Sequence, residues 1–189
     1  MTQHNPREPV KNQTRWRLIR INIAGHRNTT MEASAPTIPE DNMFKHILVP
    51  LEGSRLSLKA LDTAAGLSKS LGAKVTALTV SPTYPMTVIG EGYMLDLNSP
   101  TEWEKATAAS AAKLKHAAEK RAAKLGLVLD FVRITHDQPY EGIIKTAEKK
   151  KCDLIVMASH GRRGVSALLL GSETSKVLTH SKTPVLVCR

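Results

Sequence analysis

Residues 152–174 of the chain read CDLIVMASHGRRGVSALLLGSET. The apolar run Leu154–Ala158 within this stretch has the length of a strand that is buried on both faces. Three glycines follow it, Gly161, Gly164 and Gly171, and the last of them stands just before a helical pattern. A buried strand, a glycine-rich loop and a helix in this order are typical of an α/β protein whose parallel sheet is covered on both faces.

The same alternation extends outward from this stretch. The sequence predicts five strands, at His46–Leu51, Lys74–Val80, Val128–Thr135, Asp153–Ala158 and Pro184–Cys188. It predicts four helices, from the N-cap Ser54 to Gly72, from Pro100 to about Leu125, from Pro139 through Lys151, and at Ser172–His180. A long loop rich in proline and glycine is expected between the second strand and Ser99. Because doubly wound sheets bind ligands outside the carboxyl ends of their strands, the loops after the first and fourth strands are the candidate site.

The helix start after Gly171 has the properties of an anion site. The first amide N–H groups of a helix have no partner inside it and carry positive partial charge, and glycines let the backbone approach a phosphate. The hydroxyls of Ser159, Ser172 and Thr174 could add hydrogen bonds. An alternative stays open, because glycines also make turns and Ser172 could simply cap the helix. Neither a Gly-Lys-Ser/Thr phosphate loop nor a GxGxxG fingerprint is present, which disfavours kinases, GTPases and NAD-dependent enzymes.

Composition narrows the class of protein. The chain has 189 residues, 41% of them hydrophobic and 4% aromatic, which predicts one domain with an aliphatic core. No apolar run approaches the ~18 to 20 residues of a membrane helix. Cys152 and Cys188 form no CxxC pair, so we expect a cytoplasmic location and neither a disulfide framework nor a structural zinc site. The net charge of +10 favours anionic partners without choosing among them.

Residues 1–43 differ from the rest of the chain. They are rich first in arginine and then in threonine, alanine and proline, and no hydrophobic period is sustained. They predict a disordered or loosely structured basic extension, which leaves residues 44–189 as the folded domain. The basic charge alone suggests nucleic-acid binding, but no recognised nucleic-acid motif accompanies it, so nucleic acid is not an expected partner.

Three segments resemble the universal stress protein family. The nucleotide motif of that family is G-x2-G-x9-G-[ST], and this chain has Gly161, nine residues, and then Gly171-Ser172. The segments HILVPLEGS at 46–54 and CDLIVMASHG at 152–161 are similar to the family's opening strand and fourth strand. The resemblance covers residues 44–189. It implies a Rossmann-like, adenine nucleotide alpha hydrolase-like fold, with a single five-stranded parallel sheet of order 3-2-1-4-5.

The resemblance also implies a function, which is the binding of ATP or AMP by a dimeric stress-response or signalling module. By motif position, the adenine and ribose end would meet Pro50, Glu52 and Val80. The ribose and phosphate end would meet Met157, Ala158, His160, Gly161, Gly171, Ser172, Glu173 and Thr174. This chain departs from the family pattern at two positions: Ala158 replaces the first motif glycine, and Glu52 stands where the family has aspartate. A dimeric interaction protein of the same fold that binds no nucleotide is the alternative.

Dedicated catalytic machinery is not expected. No GxSxG elbow presents a serine, and the seven histidines include no i, i+4 pair beside a carboxylate that would indicate a metal site. No lysine finger or carboxylate pair for phosphoryl transfer is visible. We therefore predict a binding protein and not an enzyme. Slow ATP hydrolysis, and Mg²⁺ held with ATP by phosphate oxygens and water, stay open.

The last strand predicts a homodimer. In the implied order this strand lies at a sheet edge, yet Val185, Leu186 and Val187 are apolar on both of its faces. An exposed edge of this kind pairs readily with another chain. Antiparallel pairing of two copies about a two-fold axis would satisfy the backbone groups and cover the apolar surface.

Overall fold

A computed structural model describes residues 44–85, 88–89, 93–94, 99–161 and 170–189, so the extension predicted for residues 1–43 lies outside the described part. The elements are, in chain order, β1 (His46–Pro50), α1 (Arg55–Leu71), β2 (Lys74–Ser81), β3 (Val88–Ile89), β4 (Tyr93–Met94), α2 (Pro100–Lys124), β5 (Leu129–Thr135), α3 (Pro139–Lys149), β6 (Leu154–Ala158), α4 (Ser172–His180) and β7 (Val185–Cys188).

Five of these strands form one parallel sheet in the order β5-β2-β1-β6-β7. Counted among those five strands alone, this is the order 3-2-1-4-5, so the predicted fold is confirmed. The chain moves outward from β1 through β2 to β5 and then returns to add β6 on the other side of β1. The winding therefore reverses between β1 and β6, and their carboxyl ends flank the crevice where ligands of such sheets bind.

The core consists of two aliphatic layers, one on each face of the sheet. Successive side chains of β1 point to opposite faces, so Ile47 packs in one layer with Leu61 of α1, while Leu48 packs in the other with Ile143 of α3 and Val177 of α4. Ile47, Leu48, Leu61 and Val177 are fully buried. Helices thus cover both faces of the sheet.

Local capping chemistry determines the ends of the first two helices as predicted. Ser54 Oγ accepts the amide N–H of Ser57 at 3.0 Å, and α1 ends at Gly72, whose φ of 69° lies in the left-handed region that favours glycine. Ser99 and Glu102 form a capping box at the start of α2, with proline as its first helical residue.

The end of α3 was predicted wrongly. The helix stops at Lys149 instead of continuing through Lys151. Lys151 adopts a left-handed φ of 54°, and the amide of Cys152 donates to the carbonyl of Ala147 at 2.8 Å. These two features close the helix in a turn that is usually made by glycine, so no residue type in this stretch indicated the turn.

The remaining differences are small. A two-stranded antiparallel pair, β3 with β4, lies where a loop was predicted, because strands of two residues are too short to show an alternating pattern. Strands β1, β5, β6 and β7 each stop or start one residue inside the predicted bounds. Strand β2 runs one residue further, to Ser81, because Ser81 still pairs with Thr135 of β5.

A network of hydrogen bonds and one ion pair connects the amino ends of β1, β2 and β5. Asp130 Oδ2 of β5 accepts hydrogen bonds from Lys150 Nζ at 2.8 Å and from Thr76 Oγ1 of β2 at 3.2 Å. The same threonine oxygen lies 2.9 Å from Nε2 of His46, which begins β1. The hydrogen bond from Lys150, followed by the charge of Lys150 and the Thr76 bond, holds the pKa of Asp130 below its usual value.

Replacing Asp130 by asparagine should therefore destabilise the protein at neutral pH but not at low pH. The folded-state pKa is lower than the unfolded one, so the ionised carboxylate stabilises the fold above about pH 4 and loses this effect as the pH falls through the folded pKa. Because the side chain is 56% exposed, we expect only about 0.2 to 1 kcal/mol at pH 7. Urea unfolding of both proteins at neutral and acid pH measures this difference, and a difference that does not change with pH would contradict the prediction.

Candidate functional site

Two loops meet at the carboxyl ends of β1 and β6. The first contains Glu52, two residues after β1 ends, and the second contains Ser159–Gly161, directly after β6. A methyl group at Gly161 would lie 3.7 Å from Glu52 Oε1. The structure therefore brings Glu52 and Gly161, which come from distant parts of the sequence, directly beside each other in the crevice.

The carboxylate of Glu52 has unused hydrogen-bonding capacity. Its Oε1 atom is buried and has no hydrogen-bond partner among the described residues. A buried polar atom without a partner is unfavourable by about 1 to 3 kcal/mol, so most such atoms in proteins are paired. Glu52 is consequently the strongest candidate acceptor for a ligand hydroxyl or amine in this crevice.

The end of β2 presents a main-chain donor and acceptor to the same crevice. The carbonyl of Leu78 accepts the amide of Leu51 at 2.7 Å, so the main-chain groups of Leu78 face β1. Because these groups alternate sides along a strand, those of Val80 also face the β1 side, while the Ser81 carbonyl bonds to the His136 amide on the β5 side. Strand β1 ends before it could pair with Val80, so the Val80 N–H and C=O have no backbone partner on this side among the described residues.

A cavity of about 200 Å³ lies beside these groups. Its lining includes Glu52, Thr79, Val80 and Pro82 on the sheet side and Thr107, Ser110, Ala111 and Leu114 of α2. The α2 residues recur at i, i+3, i+4 and i+7, which is one face of a helix. The sequence analysis did not identify these α2 residues as part of the site, because small residues recur at the same spacing on the other faces of the alanine-rich α2.

The start of α4 is the second polar feature of the crevice. Among the described residues, no group accepts the amide N–H of Ser172, Glu173 or Thr174, and the first bond within the helix runs from Ser175 N–H to Gly171 O at 2.9 Å. The Gly171 amide donates to Ser159 O at 2.8 Å, which holds the helix start against the loop after β6. Free amides and the positive end of the helix dipole together attract anions.

The three hydroxyls predicted near this helix start differ in their surroundings. Thr174 is buried, and its Oγ1 donates to the carbonyl of Ala158 at 2.8 Å. Ser159 is also buried, and its Oγ lies 3.1 Å from His160 Nδ1. The Thr174 hydrogen bond attaches α4 to β6. Only Ser172 leaves its side chain exposed at the helix start.

The side chain of Glu173 does not point toward the helix start. Its Oε2 accepts the amide N–H of Tyr140 at 2.9 Å, and Lys176 Nζ lies 3.2 Å from Oε1. Tyr140 lies in the first turn of α3, whose N-cap residue Gln138 makes no capping bond of its own. The carboxylate thus caps α3, where a negative charge is favourable, and only the main-chain N–H of Glu173 remains at the start of α4.

The other predicted site residues surround the crevice at different depths. Met157 and Ala158 are 5% and 6% exposed, and the Met157 side chain packs in the core layer of α3 and α4, so these two residues support the loop from below. Pro50 ends β1, and His160 is half-buried beside Gly161. Gly164 falls within residues 162–169, outside the described part of the chain.

No group of three or more His, Cys, Asp or Glu side chains in the described part of the chain could hold a metal ion. Cys152 and Cys188 are free and buried, and burial raises the pKa of the Cys152 thiol to about 11, so this thiol stays protonated at neutral pH.

None of the helices in the described part of the chain combines the length and apolar character needed to cross a bilayer.

Comparison of the sequence and comparison of the fold with known proteins both find the same family. The sequence model of the Universal stress protein family matches residues 43–189. Universal stress protein MJ0531 of Methanocaldococcus jannaschii is 32% identical over 149 residues, which cover 79% of this chain and 84% of that protein. The solved structure of protein MJ0577 from the same organism is 27% identical with a TM-score of 0.64, covering 77% of this chain and 96% of that one. A universal stress protein in complex with cAMP has a similar fold, with a TM-score of 0.56, 23% identity and the same two coverages.

Proposed function

This chain belongs to the universal stress protein family, and on that premise we propose that it binds an adenine nucleotide, ATP or AMP, as a stress-response or signalling module. The observation that carries the proposal is the start of α4, where the amides of Ser172–Thr174 have no acceptor among the described residues and could bind phosphate. The loop Ser159–Gly161 connects this helix start to the Glu52 carboxylate. A ligand that is anionic at one end and rich in hydroxyls at the other fits this arrangement.

The main-chain groups of Val80 support adenine as the base. Adenine presents an acceptor at N1 beside a donor at N6, which matches one N–H and one C=O that face the same side of a strand. Guanine presents the opposite pattern, a donor at N1 and an acceptor at O6. The cavity of about 200 Å³ beside Val80 offers space next to these groups. We therefore expect adenine to be preferred over guanine.

The Glu52 carboxylate would bind the ribose. Carboxylates accept hydrogen bonds from ribose hydroxyls in doubly wound folds, and Glu52 Oε1 is buried at the carboxyl end of β1 without a partner among the described residues. The extra methylene of glutamate compared with aspartate requires only a small shift of the loop. In this proposal the protein acts by binding and not by rapid turnover. With ATP, Mg²⁺ would be held by phosphate oxygens and water.

Calorimetric titration of the full chain tests this function. We expect heat of binding with ATP and AMP, and affinity at least about tenfold weaker for GTP, because its base leaves the Val80 groups mispaired. A ligand that binds only the folded state must also raise the melting temperature. If neither ATP nor AMP produces heat or thermal protection, the chain is instead a dimeric interaction protein of the same fold that binds no nucleotide.

We also propose a homodimer that forms through β7. This strand ends the five-stranded sheet, and Leu186 is 39% exposed at its centre although it is a large apolar residue. Replacing Leu186 by glutamate should convert a dimer into a monomer, because pairing two copies would bring two buried carboxylates together. Light scattering coupled to size-exclusion chromatography measures the mass. A wild-type chain that is monomeric at micromolar concentration would contradict the proposal, as would an L186E variant that stays dimeric.

A further inference from the structure

A second depression lies at the opposite edge of the sheet, where β2 and β5 begin. This amino-end groove has a volume of about 500 Å³ and is lined mainly by Ala65, Ala73, Val75, Leu125, Leu127 and Val128. Its volume is within the range of about 300 to 1,000 Å³ that is common for binding pockets. None of its lining residues belongs to the candidate site at the carboxyl ends. We propose that the amino-end groove binds an acidic segment of a partner protein through an apolar anchor side chain.

The apolar character of the groove carries the first part of this inference. Ala65, Ala73 and Val75 form a buried floor, at 5%, 4% and 2% exposure. Val128 stands at the lip of the groove with 92% of its surface exposed, the largest exposure of any large apolar residue in the described part of the chain. A single exposed valine is unremarkable, but one that borders an apolar groove extends it into a contact surface. An aliphatic or aromatic side chain seated in the groove would contact this floor and cover Val128.

The charge at the rim carries the second part. In a parallel α/β fold every helix ends at the edge where the strands begin, so the lysines that stabilise helix C-termini collect there. Lys69, in the last turn of α1, and Lys74, which begins β2, both line the groove, and Lys124 ends α2 directly before the lining residue Leu125. All three are exposed, and none forms an ion pair with another described residue.

The carboxylate that lines the groove among the described residues does not offset these charges. Asp130 lines the groove, but its Oδ2 already accepts hydrogen bonds from Lys150 and Thr76. An approaching ligand therefore meets free ammonium groups around an apolar floor. Such a surface is complementary to a segment that carries Asp or Glu beside a leucine, isoleucine or phenylalanine.

Three other occupants fit less well. Single-stranded nucleic acid needs aromatic side chains on which bases stack, and none of the described residues that line the groove is aromatic. A membrane surface prefers several protruding apolar residues in one plane, whereas here a recess stands beside one exposed valine. The segment at residues 1–43 of this chain contains more basic than acidic residues, so its charge does not complement the lysines.

A random peptide library displayed on phage, selected against the full chain, tests the proposal. We expect the enriched peptides to combine acidic residues with one large apolar residue. The affinity of a synthetic enriched peptide, measured by fluorescence anisotropy, should fall at least about tenfold in a Lys69→Glu, Lys74→Glu double variant and in Val128→Ser. All three positions are exposed, so the variants should fold, and their melting curves check this. Lys113→Glu, on the exposed face of α2 and outside the groove, is the matched control and should bind as the wild type does.

The outcomes separate this proposal from the nucleotide site. ATP binding should be unchanged in the Val128→Ser variant, whether or not the peptide binds. Enrichment of peptides without acidic or apolar residues would overturn the proposal, and so would equal peptide affinity in the groove variants and the Lys113→Glu control. It would also be overturned if vesicles of anionic lipid or a DNA duplex bound more tightly than the peptide through the same lysines.

Discussion

Replacing Glu52 by glutamine should weaken ATP binding about tenfold to a hundredfold without lowering the melting temperature. Hydrogen bonds to a charged group contribute about 1.5 to 3 kcal/mol, which corresponds to this range of affinity. Glu52 Oε1 is buried and unpaired among the described residues, and a neutral amide is less costly to bury than a carboxylate. The loss should therefore appear in calorimetry with ATP and not in thermal unfolding of the free protein.

Two further variants make this result specific. Glu119 is an exposed carboxylate of α2 whose ion pair is with Lys115, four residues earlier, so Glu119→Gln should leave ATP affinity unchanged. Glu52→Asp restores the residue type that is usual in the family and should keep most of the affinity. If Glu52→Gln bound ATP as tightly as the wild type, the carboxylate would have no role at the ribose.

Replacing Gly171 by alanine should both destabilise the fold, by about 1 to 3 kcal/mol, and weaken ATP binding. The added Cβ would lie 3.0 Å from His160 Cα and 3.2 Å from Ser159 O. Both are main-chain atoms, which cannot move aside as a flexible side chain can. Relief of this contact requires the start of α4 to move away from the loop after β6, which would separate the free amides from the rest of the crevice. Urea unfolding and calorimetry with ATP measure the two effects.

Two other glycines serve as controls for crowding. Gly66 lies within α1 and has nothing within 4 Å of an added Cβ, so Gly66→Ala should stabilise the protein by about 0.5 to 1 kcal/mol. At Gly161 the added methyl would make ordinary contact with Glu52, so Gly161→Ala should keep the stability while it obstructs the ligand. A Gly171→Ala variant as stable as Gly66→Ala would show that the crowding argument is wrong.

The helix ends that local chemistry determines could be predicted from the sequence. Ser54, Gly72 and the Ser99–Glu102 capping box act within a few residues, so their spacing alone locates the start and end of α1 and the start of α2. The end of α3 could not be predicted, because Lys151 takes a backbone conformation that lysine rarely adopts. The order of the strands was implied by family resemblance and not by residue patterns, since strand pairing is a long-range property.

The candidate site was predictable in its backbone and less so in its side chains. The structure joins the loop after β6 to the start of α4 through the hydrogen bond from the Gly171 amide to the Ser159 carbonyl, and the phosphate binding that the glycine pattern predicts there stays a prediction. The capping of α3 by Glu173 and the burial of the Thr174 hydroxyl were not predicted. Each depends on a contact with a segment at least 16 residues away along the chain, and no local pattern records such a contact.

The position of Val80 bears on how base preference could change in this protein. Its N–H and C=O exist whatever side chain the residue carries, so substitutions there should leave the preference for adenine intact, with proline as the exception because it lacks the N–H. The length of the strand matters more than the identity of the residue. Deleting one residue from β2 would turn this pair of atoms toward the opposite neighbour, and a change in base preference would then arise from an altered strand register instead of an altered side chain.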